Sequence, residues 1–158
     1  MQAIEILRDM VKKVPERLRS LSGDSGTRSG PDGWSRREEL GHLLDSAVMN
    51  HVRLMRVQTE DAPQLPGYDG PLWVRAHHYQ DRSWDQLIET WQLLNQHFLM
   101  GAEGTPSTAW QRRCVLEGSQ MTLEFLFTDY VQHALHHLEH MGVRVDDFEM
   151  EIPPARTA

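Results

Sequence analysis

Ile4, Leu7, Val11, Val14, Leu18 and Leu21 recur at steps of three and four residues. That spacing aligns side chains on one face of a helix and predicts a first helix over residues 1–21. Residues 22–33 are rich in Gly and Ser and contain Pro31, the composition of a flexible connector. Ser35-Arg36-Arg37-Glu38 has the form of a capping box, which opens a second helix over 34–60. Leu40, Leu43, Leu44, Ala47, Val48, Leu54 and Met55 form its apolar stripe. Residues 61–82, punctuated by Pro63, Pro66, Gly67, Gly70 and Pro71, predict a crossing loop with room for a short helix at Trp73 and Val74. A second capping-box candidate, Ser83-Trp84-Asp85-Gln86, precedes Leu87, Ile88, Trp91, Leu94 and Phe98, and predicts a third helix over 83–101. Residues 102–120 alternate poorly and read as an irregular, partly extended excursion. Leu123, Leu126, Phe127, Tyr130, Val131, Ala134, Leu138 and Met141 predict a fourth helix over 121–142. Residues 143–158 read as a tail, frayed from Phe148 onward. The expectation is one all-α domain over 1–158, a four-helix bundle with crossover connections and little or no sheet.

Composition narrows the classes of function. The chain has 158 residues and a formal charge of -7, and its only lysines are Lys12 and Lys13, so no basic patch offers itself to a phosphate backbone and nucleic acid is not an expected partner. No run approaches the length of a membrane span, and residues 1–21 are amphipathic rather than signal-like. Cys114 is the single cysteine, which fits a reducing compartment and cannot supply a thiolate-rich zinc site. The expected setting is cytoplasmic, without membrane contact.

The strongest chemical signal lies in the fourth helix, where His133, His136, His137 and His140 occupy two turns. Residues four apart sit one above the other, so His133 and His137 aim at one point and offer an ion two imidazole ligands. At 100° per residue, His137 lies roughly 65° and His133 roughly 105° from the centre of the apolar stripe, against roughly 165° for His136 and 125° for His140. His136 is therefore expected in solvent and His140 at the rim. The bland alternative is a histidine-rich wet face with one ring bonded at the core edge.

Trp34, the capped helix start and His42-Leu43-Leu44-Asp45-Ser46, together with Tyr68-Asp69, Trp73 and the Tyr130-to-His140 string, resemble the DinB-like bundles, particularly the YfiT-type metal-dependent hydrolases. The likeness spans residues 34–142, with its motifs in the family's order. It implies a divalent ion, zinc or nickel, held by His42, His133 and His137 with open positions for water. It also implies a homodimer and, in some relatives, transfer to a low-molecular-weight thiol such as bacillithiol or mycothiol. Periodicity on the second helix favours a different ligand: His51 falls within about 20° of the apolar stripe and His42 on its far side.

Around such an ion, Asp45, Asp129 and Tyr130 are candidates to hold a ligand ring or a bound water from behind, and Asp45 or His140 to act as general base. Each has a plainer reading: a solvent-facing carboxylate for the two aspartates, core packing for Tyr130. His77, His78, Arg112 and Arg113 are read as solvated surface groups. Three neutral imidazoles leave an ion acidic enough to lower a bound water's pKa towards about 7, or to deprotonate a thiol. The function expected is thus metal-dependent hydrolysis or thiol transfer on a small-molecule substrate. The alternative is a metal-binding stress or interaction protein without turnover, marked by a fourth protein ligand such as His140 or Asp45.

Overall fold

The computed structural model describes residues 1–21 and 33–148. The connector expected over 22–33 lies, Gly33 apart, outside the described residues, as does the tail beyond Phe148.

Four long helices, α1 (Gln2–Arg19), α2 (Arg36–Thr59), α4 (Trp84–Glu103) and α5 (Leu123–His140), form the bundle, and a short α3 (Gly70–His77) sits between α2 and α4 in the chain. Their starts are set by side-chain caps. Ser35 Oγ accepts from Glu38 N at 3.3 Å while Glu38 Oε2 accepts from Ser35 N at 2.9 Å, a complete capping box. Asp69, Ser83 and Thr122 each accept from a backbone N–H of the first turn of α3, α4 and α5.

Both α1 and α2 pack against α4 and α5, so α1 faces α2 across the bundle and α4 faces α5. Trp91, Phe98, Phe127 and Tyr130 fill the centre. The last described residues are not frayed. Val143 and Phe148 are buried, Asp147 takes two 2.7 Å bonds from Arg17 of α1, and the Arg17 guanidinium lies 5.0 Å from the Phe148 ring centre. The expectation of fraying from Phe148 onward is corrected at that residue, because its ring is held against the Lys13 and Arg17 cations of α1.

The crossing loop after α2 and the excursion before α5 together form a small sheet ordered β1 (Gln64–Leu65), β2 (Arg113–Leu116) and β3 (Ser119–Thr122). β2 and β3 pair antiparallel with Leu116 opposite Ser119. Glu117 and Gly118 make the two-residue turn, both with positive φ, as such tight hairpins require. β1 joins β2 in parallel, which draws the 61–69 loop across the bundle and sets Tyr68 over α2. Arg112, read from sequence as solvated, donates to the carbonyls of Gln58 and Glu60 at 2.8 and 2.6 Å and so caps the end of α2. Among the described residues, no helix is long and apolar enough to cross a membrane.

Candidate metal centre

His133 and His137 stand one turn apart on α5, and α2 brings His42 to meet them. The Nε2 of His133 lies 3.2 Å from that of His42 and 3.1 Å from that of His137. The rings approach edge-on, so nitrogen atoms rather than ring faces converge. One ligand atom from each of the three lies within 4.8 Å of the others.

His42 rather than His51 reaches this point because the start of α2 is buried all round. Every residue from Glu39 to Ala47 is buried, with α4 and α5 on either side and α3 across it. An apolar stripe computed for a helix with one buried face therefore does not locate the pocket. The His51 favoured by periodicity points instead toward α4, where its ring stacks on His97 with centroids 4.3 Å apart.

Glu39, a residue that sequence reasoning missed, orients the cluster. Its Oε2 lies 2.5 Å from His137 Nδ1, and the two side chains are 2% and 9% exposed. The carboxylate accepts a hydrogen bond from Nδ1–H, which leaves the Nε2 lone pair turned toward His42 and His133. The available signal was an acid three residues before His42 on the buried opening turns of α2.

Burial and the neighbouring imidazoles push His133 down to about 3, so this ring stays neutral near pH 7 and keeps one nitrogen lone pair to offer. Trp34 closes one side, its ring 5.1 Å from His42 and 6.4 Å from His137. Tyr68 stacks over His42 at 6.3 Å. Gly70 lets the start of α3 approach, since a Cβ there would lie 3.0 Å from His42 Cε1.

The donor set fits a divalent ion. Two nitrogens ligating one ion at roughly 2.0–2.1 Å with near-tetrahedral angles stand about 3.3 Å apart, close to the separations found here. A single proton on His133 Nε2 serves one of its two neighbours, whereas a cation serves all three. Next to His133 lies a cavity of about 160 Å³, so the cluster borders space rather than packed hydrocarbon.

Other residues singled out from sequence fall elsewhere. Asp45 turns away from the cluster: its Oδ1 accepts from the Tyr79 hydroxyl at 2.7 Å and lies 3.2 Å from His77 Nδ1. Its expected place behind a ligand ring is filled by Glu39, because three residues forward along α2 rotates the side chain toward α3 and three residues back rotates it toward α5. His77 is exposed, as expected of a surface group, and its ring also faces Asp45. It shares with Asp45 and Tyr79 a larger cavity of about 480 Å³ that none of the three clustered histidines lines.

Asp129 lines the cavity beside His133, yet His133 Nδ1 has no hydrogen-bond partner, so Asp129 does not hold that ring. The Tyr130 hydroxyl donates to Asn95 in the core and holds no histidine. His140 sits behind the cluster, beside Glu39 and His137. His136 is exposed.

These features define a helical bundle with an inward-facing cluster of three imidazoles. Residues 4–141 match the model of the DinB superfamily, and the chain belongs to that superfamily. It is 24% identical over 140 residues to a "Putative metal-dependent hydrolase" of Bacillus licheniformis, covering 83% of this chain and 78% of the relative. Against "Putative metal-dependent hydrolase YfiT" of Bacillus subtilis it is 27% identical over 154 residues, covering 89% and 79%. The solved structure of YfiT, with its unusual four-helix bundle topology, superposes with a TM-score of 0.79 at 22% identity, covering 89% of this chain and 82% of that one. A mycothiol-dependent maleylpyruvate isomerase shares the fold at a TM-score of 0.72 and 13% identity, and this chain covers 60% of its length.

Proposed function

We propose that this protein is a metal-dependent enzyme in which His42, His133 and His137 hold one divalent ion, zinc or nickel, and that it hydrolyses a small-molecule substrate. The observation that carries the reading is the convergence of three Nε2 atoms from two helices beside a cavity. Neither Asp45 nor His140 joins that trio as a fourth donor among the described residues, which favours a site with positions left for water and substrate over a purely structural one.

When bound, such an ion supplies Lewis acidity, which acidifies water or a thiol and polarises a carbonyl or phosphoryl oxygen. The chain's own contributions are distinct. Glu39 fixes the tautomer and orientation of the His137 ring. Trp34 and Tyr68 wall the rings and exclude bulk water from that side. His133 faces the cavity in which a substrate would lie.

A second reading is thiol transfer, with a low-molecular-weight thiol of the bacillithiol or mycothiol kind as co-substrate. It draws on the fold shared with the mycothiol-dependent isomerase. We also propose a cytoplasmic homodimer; the exposed side chains Val48 and Val52 of α2 and Leu93 and Met100 of α4 are apolar surface that a second copy would cover.

The test compares chelator-treated and zinc- or nickel-restored protein on a panel of small esters, amides and phosphoesters. A parallel panel pairs bacillithiol or mycothiol with electrophiles. Metal-dependent turnover that disappears in His133→Ala supports the reading. Turnover on ester, amide or phosphoester substrates selects hydrolysis, and turnover only with thiol present selects transfer. Metal-independent activity, or metal binding with no turnover on either panel, contradicts it.

A further inference from the structure

Arg53 is buried, only 7% exposed, without a contacting carboxylate among the described residues. One terminal nitrogen donates to the Pro66 carbonyl at 2.9 Å and the other to Asn50 Oδ1 at 3.4 Å. Its Nε is buried and has no partner. A guanidinium offers five N–H donors, so most of its capacity is unused. Desolvation of a guanidinium is unfavourable and is offset here, among carboxylates, only by the more distant Glu117 and Asp129, which leaves Arg53 able to take an anionic ligand.

The position of Arg53 points the same way. His42, Ser46, Asn50 and Arg53 are spaced four, four and three residues apart, so they share one face of α2, with His42 and Arg53 about 16 Å apart along the axis. All four are buried. This polar stripe inside a bundle faces Tyr130 and His133 of α5. Ser46, Asn50, Arg53, Asp129 and His133 line one cavity of about 160 Å³, many times the room that a single water needs. Its other wall is apolar, with Leu116, Met121 and Phe125. The titratable groups acting on Arg53 are Tyr68, Glu117, Cys114 and Asp129. Of these, Tyr68 and Asp129 also line the cavity, and the Asp129 carboxylate would turn an anion toward the arginine side.

We propose that Arg53 is an oxyanion-recognition residue, which binds the carboxylate or phosphate group of a small molecule whose reactive end lies against His133 and the histidine cluster. The name substrate for that molecule rests on the metal-dependent reading above; the binding itself does not. Carboxylate and phosphate both match the planar donor fork of an arginine. A short apolar stem would lie along Met121 and Phe125.

The test is a titration of the full chain, metal-free, with sodium propionate and separately with inorganic phosphate. It is followed by the NMR signal of the Arg53 Nε–H, assigned with Arg53→Lys, and ethylammonium chloride serves as a cationic control. A saturable shift with propionate identifies a carboxylate site and one with phosphate a phosphate site, while the control leaves the signal unmoved. Arg53→Gln, which lacks that signal and is compared with wild type by titration calorimetry, should weaken the binding by about ten-fold or more. No saturable shift with either oxyanion, or equal affinity in Arg53→Gln, overturns the proposal; the wild-type titration decides alone if that variant does not fold. Loss of the metal reading leaves the Arg53 signal responsive, so the two failures are distinguishable.

Discussion

Glu39 and His137 are 98 residues apart in the chain, yet Oε2 of one lies 2.5 Å from Nδ1 of the other across the seam between α2 and α5. This contact joins the two helices that carry the histidine cluster and decides which nitrogen His137 presents to it. Replacing Glu39 by Gln keeps an acceptor but removes the charged partner that orients the ring. Metal affinity in Glu39→Gln, measured by competition with a chelator, is expected to fall about 10–100-fold. Unchanged affinity would mean that the pair only braces the helices.

The same pair makes a prediction about the metal-free protein. His137→Ala strands a buried carboxylate without its N–H donor, which costs about 1–3 kcal/mol or more when the acceptor is charged. Chemical denaturation should show a loss of that order in His137→Ala, and markedly less when Glu39→Leu is added to it. Additive losses would contradict the coupling.

A pH dependence follows from His133. Its folded-state pKa is pushed down to about 3 by burial and by the neighbouring imidazoles, from an ordinary value of 6.5. Between those values the unfolded chain takes up a proton that the folded metal-free protein refuses, so this group makes stability fall as pH drops from about 6.5 toward 3. Denaturation with chelator present, at about pH 7 and about pH 5, should show a smaller pH effect in His133→Phe than in wild type. Equal effects in both would place the titration elsewhere.

Tyr130 separates a core role from a site role. Its hydroxyl donates to Asn95, which is fully buried. Tyr130→Phe leaves that amide oxygen without its donor and should cost about 1–3 kcal/mol of stability, with metal affinity unchanged. A loss of metal without a loss of stability would return Tyr130 to the site.

Much of this arrangement was legible in local spacing. The four bundle helices announce themselves through apolar periodicity and caps, and the His133–His137 pair through its four-residue step. His42 was legible only through resemblance, because the periodicity argument assumes one buried face and α2 near its start has none exposed. Glu39 was hidden among the charges of a helix opening, where acids are ordinary. Asp45 was misplaced by the opposite rotation about the same helix. The β2–β3 hairpin rests on four-residue strands and a Glu117-Gly118 turn, a weak local signal. The parallel β1–β2 pairing joins segments some fifty residues apart and had no local signal at all.

The most direct test measures divalent metal bound per chain, by elemental mass spectrometry on untagged protein loaded with zinc or nickel and freed of excess. We expect one ion per chain in wild type and in His51→Ala, and none in His42→Ala or His133→Ala. Full occupancy in His42→Ala, or loss in His51→Ala alone, would contradict a centre built from His42, His133 and His137.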